Sequence, residues 1–217
     1  MTSGLKTNQI GRSEQGASHF LNFLAVIAGL GLAFQVGHFL EHALQFSVWV
    51  SGTYEWVVST FCGRDTPFMS TPLNKVVAFA GGYLFPEANR ARQMMLGMEL
   101  LHLVGNSIFL ATIGMVYYLI PNKWARYAIY IEGAHLCEHI SLTISAYYVG
   151  TPIGLSTMFG QASYLWGKEA VVGWRVSWHF FMNLLPMPLV MMAIMQYWSE
   201  ARKGSQGASV PMQVRQS

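Results

Sequence analysis

Four long stretches of mostly apolar residues constrain the fold of this chain more than any other feature of its sequence. They cover residues 22–48, 94–119, 126–149 and 173–197. A helix needs about 20 such residues to cross the hydrocarbon core of a bilayer, which is roughly 30 Å thick. The stretches are too long to be barrel strands, which need about ten residues each. We therefore expect an all-α integral membrane protein, built as a four-helix transmembrane bundle.

The composition of the chain supports this class and excludes others. Charged residues make up 11% of the 217 residues and hydrophobic residues 53%, whereas soluble domains contain about 25% charged residues. The net charge is only +3 and Lys and Arg form no run, so nucleic acid is not an expected partner. The expected partners are the lipid bilayer and, because the chain is small, a larger membrane complex or a redox partner.

The polar and apolar regions divide the chain into three parts. A polar segment, residues 1–18, precedes one membrane domain, residues 19–198, and a polar tail, residues 199–217, follows it. Within the membrane domain, the loops 50–92 and 150–172 fall on the same side of the bilayer. We expect these two loops to cap the bundle on that side.

The connections between the spans predict their orientation. The side that carries the termini holds seven Lys and Arg residues and the opposite side holds five, with a further arginine, Arg175, at its edge. The positive-inside rule then places both termini in the cytoplasm. Residues 121–124 are typical of a tight turn, which makes the second and third spans antiparallel neighbours. The apolar segment 73–85 is too short to cross a bilayer and is typical of an interfacial or re-entrant helix.

A weak internal repeat relates the two halves of the chain. The first and third spans share the pattern H-x-x-E-H, at His38-Glu41-His42 and at His135-Glu138-His139. The second and fourth spans share the pattern H-x-x-x-N, at His102 and Asn106 and at His179 and Asn183. The same polar pattern in the same order predicts two similar hairpins. Membrane proteins with internal repeats often have a binding site at the repeat interface.

Six of the seven histidines lie within the apolar spans, and the seventh, His19, lies at the entrance of the first span. Ionisable groups inside a bilayer are costly and usually mark a functional site. The helical spacing places the histidines of each span on one face. At about 1.5 Å per residue, all six lie roughly 9–21 Å below the non-cytoplasmic surface. We expect them to meet in one layer inside the bundle.

A metal centre is the leading interpretation of this layer, because imidazole and carboxylate groups bind Fe, Cu and Zn. The predicted ligands are His38, Glu41, His42, His102, His135, Glu138, His139 and His179. Eight donors suit two metal ions, and open positions on such ions could activate water or dioxygen. The predicted function is an oxidase- or oxygenase-type redox enzyme or an accessory subunit. The expected supporting residues are Glu99, Asn106, Glu132 and Asn183.

Other functions stay open at this point. Histidine pairs on facing helices could ligate b-type haem or a chlorin pigment. The same His and Glu residues could carry metal ions or protons across the membrane. The H-x-x-E-H pattern also occurs in inverted zincins, which makes intramembrane proteolysis a further alternative. Whether the protein is an enzyme at all is left undecided by the sequence.

Three smaller features lead to local expectations. Arg175 either contacts a carboxylate at the site or extends to the membrane surface. Pro186 predicts a kink in the fourth span. Gly29, Gly31 and Gly37 predict close contacts between helices.

Overall fold

The computed structural model of the chain is all-helical, with no strand among the residues that it describes. It describes the backbone of residues 3–51, 71–158 and 163–207 and, within these, the side chains of residues 18–51, 72–158 and 173–203. Parts of the two predicted capping loops, 50–92 and 150–172, and both ends of the chain lie outside the described residues.

The described chain forms six α-helices and one short 3-10 turn. The helices are α1 (Ser3–Ser51), α2 (Thr71–Leu84), α3 (Arg90–Leu119), α4 (Lys123–Tyr148), α5 (Ser163–Leu184) and α6 (Pro186–Gly207), and the 3-10 turn is Leu155–Thr157. Three stretches are long and apolar enough to cross a membrane: Ser18–Ser51, Arg90–Leu119 and Gly173–Lys203. These agree with three of the four predicted spans and support a membrane location.

The remaining predicted span, residues 126–149, corresponds to α4. This helix has 26 residues, but it is not among the three apolar stretches. Two glutamates and two histidines in its middle lower its mean hydropathy. Hydropathy alone therefore supports a helical membrane protein but not the complete four-helix bundle.

The helix boundaries follow local signals in the sequence. The Asn122 side chain accepts hydrogen bonds from the backbone N–H groups of Trp124 and Ala125, both at 3.0 Å, which caps the start of α4. The predicted tight turn thus joins α3 to α4. The expected break in the last span is also present, because α5 ends at Leu184 and α6 begins at Pro186, a residue that lacks the backbone N–H of a helix interior.

The helices pack around a common interior. Helix α1 packs against α3 and α5, α3 packs against α4, α4 packs against α6, and α2 lies on α3. One apolar core cluster is built by α1, α3, α4 and α6 from Ala28, Phe109, Ile113, Val116, Ala128 and Val190. In α1, α3 and α4, and in the consecutive helices α5 and α6, these residues lie between the histidines and the helix end on the same side as the chain termini. A buried apolar layer therefore closes the terminal side of the histidine layer.

The apolar segment 73–85 forms most of α2, which approaches α3 at backbone distance. A Cβ atom at Gly97 would lie 2.4 Å from the Val77 carbonyl oxygen, and one at Gly81 would lie 1.9 Å from the Gln93 carbonyl oxygen. Such distances exclude any side chain larger than hydrogen at either position without a shift of the backbone. The α2–α3 contact therefore depends on these two glycines.

Of the three glycines in α1 that the sequence predicts at close contacts, the structure supports one. A Cβ at Gly31 would overlap the Thr112 side chain. The prediction is wrong for Gly29 and Gly37, because no described atom lies within 4 Å of a Cβ built there. Sequence cannot tell which face of α1 meets another helix, and two of these glycines lie on open faces.

We predict that Gly97→Ala destabilises the protein, because the added methyl group pushes α2 away from α3. Overpacking of this kind costs about 1–3 kcal/mol, which corresponds to about 2–12 °C in Tm for a chain of this size. The matched control is Gly114→Ala on the same helix, where no described atom lies within 4 Å of the added Cβ. Thermal unfolding in detergent, followed by tryptophan fluorescence, should show a lower Tm for Gly97→Ala only. Equal Tm values for the two variants would contradict the close contact.

Candidate metal centre

The six histidines of the spans converge into two groups of three. The first group contains His38, His42 and His102, from α1 and α3, and the second contains His135, His139 and His179, from α4 and α5. In each group, one nitrogen from every residue lies within 4.8 Å of the corresponding nitrogens of the other two. Each group has the residue types and the spacing to hold a metal ion.

The two groups adjoin one another. The rings of His102 and His139 stack with centroids 5.4 Å apart, and those of His42 and His179 stack at 5.7 Å. Four of the six side chains, those of His42, His135, His139 and His179, are at most 5% exposed. We call the six residues together the histidine cluster.

Two of these histidines have the same orientation relative to their own helices. The Nδ1 atoms of His102 and His179 lie 2.9 Å from the carbonyl oxygens of Met98 and Arg175, respectively. A carbonyl oxygen only accepts hydrogen bonds, so Nδ1 must carry the proton in both rings. The Nε2 atom then keeps its lone pair, which is the state of a metal-binding imidazole.

His42 is held in a similar way, since its Nδ1 lies 3.2 Å from the Gln45 side-chain oxygen. The Nε2 atoms of His38 and His42 are buried and have no hydrogen-bond partner among the described residues. A buried polar atom without a partner costs about 1–3 kcal/mol, and native proteins leave few of them. A cation bound by these nitrogens would remove that cost.

In the second group, the Nε2 atoms of His135 and His139 lie 3.1 Å apart. Two imidazole ligands of one ion, at about 2.1 Å from the metal, lie about 3.0–3.4 Å apart. This pair therefore already has the spacing of two ligands on a single ion. The wider nitrogen–nitrogen separations within each group, which reach up to 4.8 Å, would have to close by up to about 1.5 Å to reach the same geometry.

The predicted glutamate ligands occupy different positions from the histidines, and among the described residues neither group includes a carboxylate. Glu138 accepts a hydrogen bond from the backbone N–H of Ser156 at 2.6 Å and another from the Trp178 indole N–H. Glu138, which lies on α4, thereby links this helix to the 3-10 turn and to α5. Glu99 forms an ion pair with Arg175, so Arg175 contacts a carboxylate rather than extending away from the site.

Two further glutamates lie beside the histidine cluster. Glu132 is fully buried and lies 3.6 Å from Nδ1 of His135. Neither of its oxygens has a hydrogen-bond partner in the described part of the chain. Glu41 is half-buried and lines a cavity together with His38 and His102. These two carboxylates lie beside the histidine cluster, whereas the Glu138 carboxylate bonds to Ser156 and Trp178.

The two predicted supporting asparagines bond to the backbone of the neighbouring histidines. Asn106 and Asn183 donate to the carbonyl oxygens of His102 and His179 at 2.8 and 2.9 Å. Asn183 also accepts a hydrogen bond from Gln35 at 3.0 Å, which links α5 to α1 across the interior. The two asparagine–carbonyl bonds lie within single helices, whereas the Gln35–Asn183 bond joins the two helices that carry His38 and His179.

Sequence reasoning missed Ser156 and Trp178 as partners of Glu138. Ser156 acts through its backbone N–H, a group that every residue except proline has, so the sequence contains no signal for it. Trp178 directly precedes His179, but nothing in the sequence indicates that its indole reaches across to α4. The Ser156 contact depends on how the 150–158 segment folds back over the bundle, and the Trp178 contact depends on how α5 packs beside α4.

Comparisons with known proteins add a family but no activity. Neither the curated proteins nor the solved structures include a significant match to the chain. Residues 9–216 match a family of unknown function, DUF6008. Because this match covers almost the whole chain, the protein belongs to the family of unknown function DUF6008.

Proposed function

We propose that this protein is an integral membrane metalloprotein whose histidine cluster binds two transition-metal ions, with three imidazoles on each. The observation that carries the proposal is the arrangement of six histidines, four buried and two partly buried, as two adjoining groups of three. Hydrogen bonds from Nδ1 to oxygen leave Nε2 available in at least three of them.

A four-span topology fits this function. At about 1.5 Å per residue, the 26 residues of α4 reach about 39 Å, which is enough to cross a bilayer. The polar residues that lower its hydropathy, Glu132, His135, Glu138 and His139, are at most 5% exposed. They face protein rather than lipid, so they do not oppose membrane insertion of the assembled bundle.

Two similar hairpins would account for the division of the histidines into two groups of three. In this proposal, α1 with α3 forms one hairpin and α4 with the α5–α6 pair forms the other, and each supplies one group of three. The identical Nδ1–carbonyl bonds of His102 and His179 support the equivalence. In this proposal both termini lie in the cytoplasm, because the connections on their side carry more Lys and Arg residues.

The donor set favours copper or zinc over iron. Imidazole binds all three metals, but di-iron bundles draw on carboxylates as direct ligands, and among the described residues both groups of three consist of histidines alone. Two adjoining ions inside a helical bundle suit redox chemistry, so copper is the favoured metal. A metal pair of this kind supplies activation of dioxygen or water. The proposed role is therefore a membrane redox enzyme, or the metal-binding subunit of a redox complex.

The alternatives fit the geometry less well. Neighbouring rings in the cluster lie 4.7 to 6.0 Å apart, which leaves no slot for a planar macrocycle among six imidazoles. Transport requires a polar route through the bundle, whereas Phe109 and Ile113 fill its terminal side at 0% exposure. Both observations favour a bound pair of ions over haem or a channel.

We predict that protein purified in detergent carries about two metal ions per chain, the number that two groups of three ligands would hold. His42→Ala and His139→Ala should each reduce the content to about one ion, because each removes one ligand of a different group. Mass spectrometry of the metals and a visible spectrum of the same sample measure this directly.

The matched control for the histidine variants is His19→Ala. His19 is exposed and lies outside the cluster, so this variant should keep both ions. Full metal content in both cluster variants would overturn the assignment. A Soret band in the wild-type protein would show that the cluster binds haem instead of two metal ions.

We predict that Glu138→Gln keeps both ions but lowers stability. The amide presents N–H donors to Ser156 or Trp178, which are themselves donors, and such a mismatch costs about 1–3 kcal/mol. Metal content and Tm are measured together, with Glu87→Gln at an exposed position as the control. Loss of an ion at unchanged Tm would show that Glu138 is a ligand after all.

A further inference from the structure

A cavity of 530 Å³ lies between α1, α2 and α3, directly beside the first histidine group. Its polar wall consists of His38, Glu41 and His102. The other walls are apolar and include Phe34 from α1 and Leu73 from α2. This volume is within the range of sites for small organic ligands, about 300–1,000 Å³.

The mouth of the cavity faces the region that lipid would occupy. Phe34 and Val76, which line it, are 49% and 50% exposed. The α1 residues of the lining, 33–41, fall in the middle of the span Ser18–Ser51. An opening at this depth in a membrane-spanning helix meets hydrocarbon, so molecules dissolved in the bilayer have direct access to it.

We infer that this cavity binds a neutral, lipid-soluble molecule with a hydroxyl group at one end, and that the hydroxyl reaches the first histidine group. The inference rests on the proposed function, because it names the class of molecule that would meet the ion held there. The apolar walls accommodate the body of the molecule, and the wall of His38, Glu41 and His102 accommodates its polar end.

The charges around the cavity favour a ligand whose polar end is a hydroxyl group over one whose polar end is ionised. No Lys or Arg lines the cavity among the described residues, so a carboxylate end would have no basic side chain to compensate it beside Glu41. An ammonium end would be repelled by a metal ion on His38 and His102. A hydroxyl is neutral, both donates and accepts hydrogen bonds, and can offer its oxygen to a metal.

A substitution at Gly37 can fill the cavity without replacing any of the histidines. Gly37 lines the cavity, and no described atom lies within 4 Å of a Cβ built on it. A phenylalanine at this position has room to enter the space from α1. Gly29, on the same helix, also has no neighbour within 4 Å of a built Cβ but is not part of the lining. Gly29→Phe is therefore a matched control.

The binding test uses 1-decanol with a photoreactive diazirine near its tail, on the full chain in lipid nanodiscs. Cross-links in the wild-type protein should fall on α1–α3 peptides that contain Phe34, Leu73 or Val76, and unlabelled 1-decanol should suppress them. Gly37→Phe should reduce the competed labelling about tenfold, equivalent to about 1.4 kcal/mol, and Gly29→Phe should leave it unchanged. Labelling that decanol does not suppress, or that Gly37→Phe does not reduce, would overturn the inference.

A second measurement separates this inference from the proposed function. The protein is loaded with Co²⁺, and its visible spectrum is recorded with and without 1-decanol. Decanol should shift the cobalt bands in the wild-type and Gly29→Phe proteins but not in Gly37→Phe. If Co²⁺ does not bind to the wild-type protein, the proposed metal centre fails. If Co²⁺ binds but decanol changes neither the spectrum nor the cross-links, only the cavity inference fails.

Discussion

The cost of a polar side chain without a partner in apolar surroundings governs this structure. Each long helix carries several imidazole, carboxylate or amide groups that cannot face hydrocarbon without a large loss of hydration. The helices therefore turn these groups towards one another, and Gln35, Glu99, Asn106, Glu132 and Asn183 are all at most 1% exposed. The packing of the bundle follows from this requirement as much as from its apolar residues.

Hydrogen bonds within the interior then decide which atoms remain for a ligand. Backbone carbonyls take the Nδ1 protons of His102 and His179, so the opposite nitrogens of these rings are left as acceptors. Glu99 forms an ion pair with Arg175. Glu138 accepts hydrogen bonds from Ser156 and Trp178. The result is a cluster dominated by imidazole nitrogens, in which the proposed cations would compensate atoms that have no partner among the described residues.

The surroundings of the cluster differ on its two sides. Towards the chain termini, the apolar layer that includes Phe109 and Ile113 closes the interior. Beside the first histidine group, the cavity under α2 opens sideways between helices, and the glycine contact at Gly97 holds α2 in place. A site that is closed towards the chain termini but open at its flank fits the proposal of a ligand that arrives through the bilayer.

The sequence by itself determined the all-α class, three of the apolar spans and the convergence of six histidines in one layer, because helical periodicity and depth are local properties that can be read along one chain. The four-span topology and the duplicated hairpins remain proposals, since α4 is the one predicted span that hydropathy does not support. Only the tertiary structure decided that His38 and His42 join His102 while His135 and His139 join His179, and that Glu138 bonds to Ser156 and Trp178. These outcomes depend on the rotation of each helix about its axis and on the fold of a distant loop, which helical spacing does not specify.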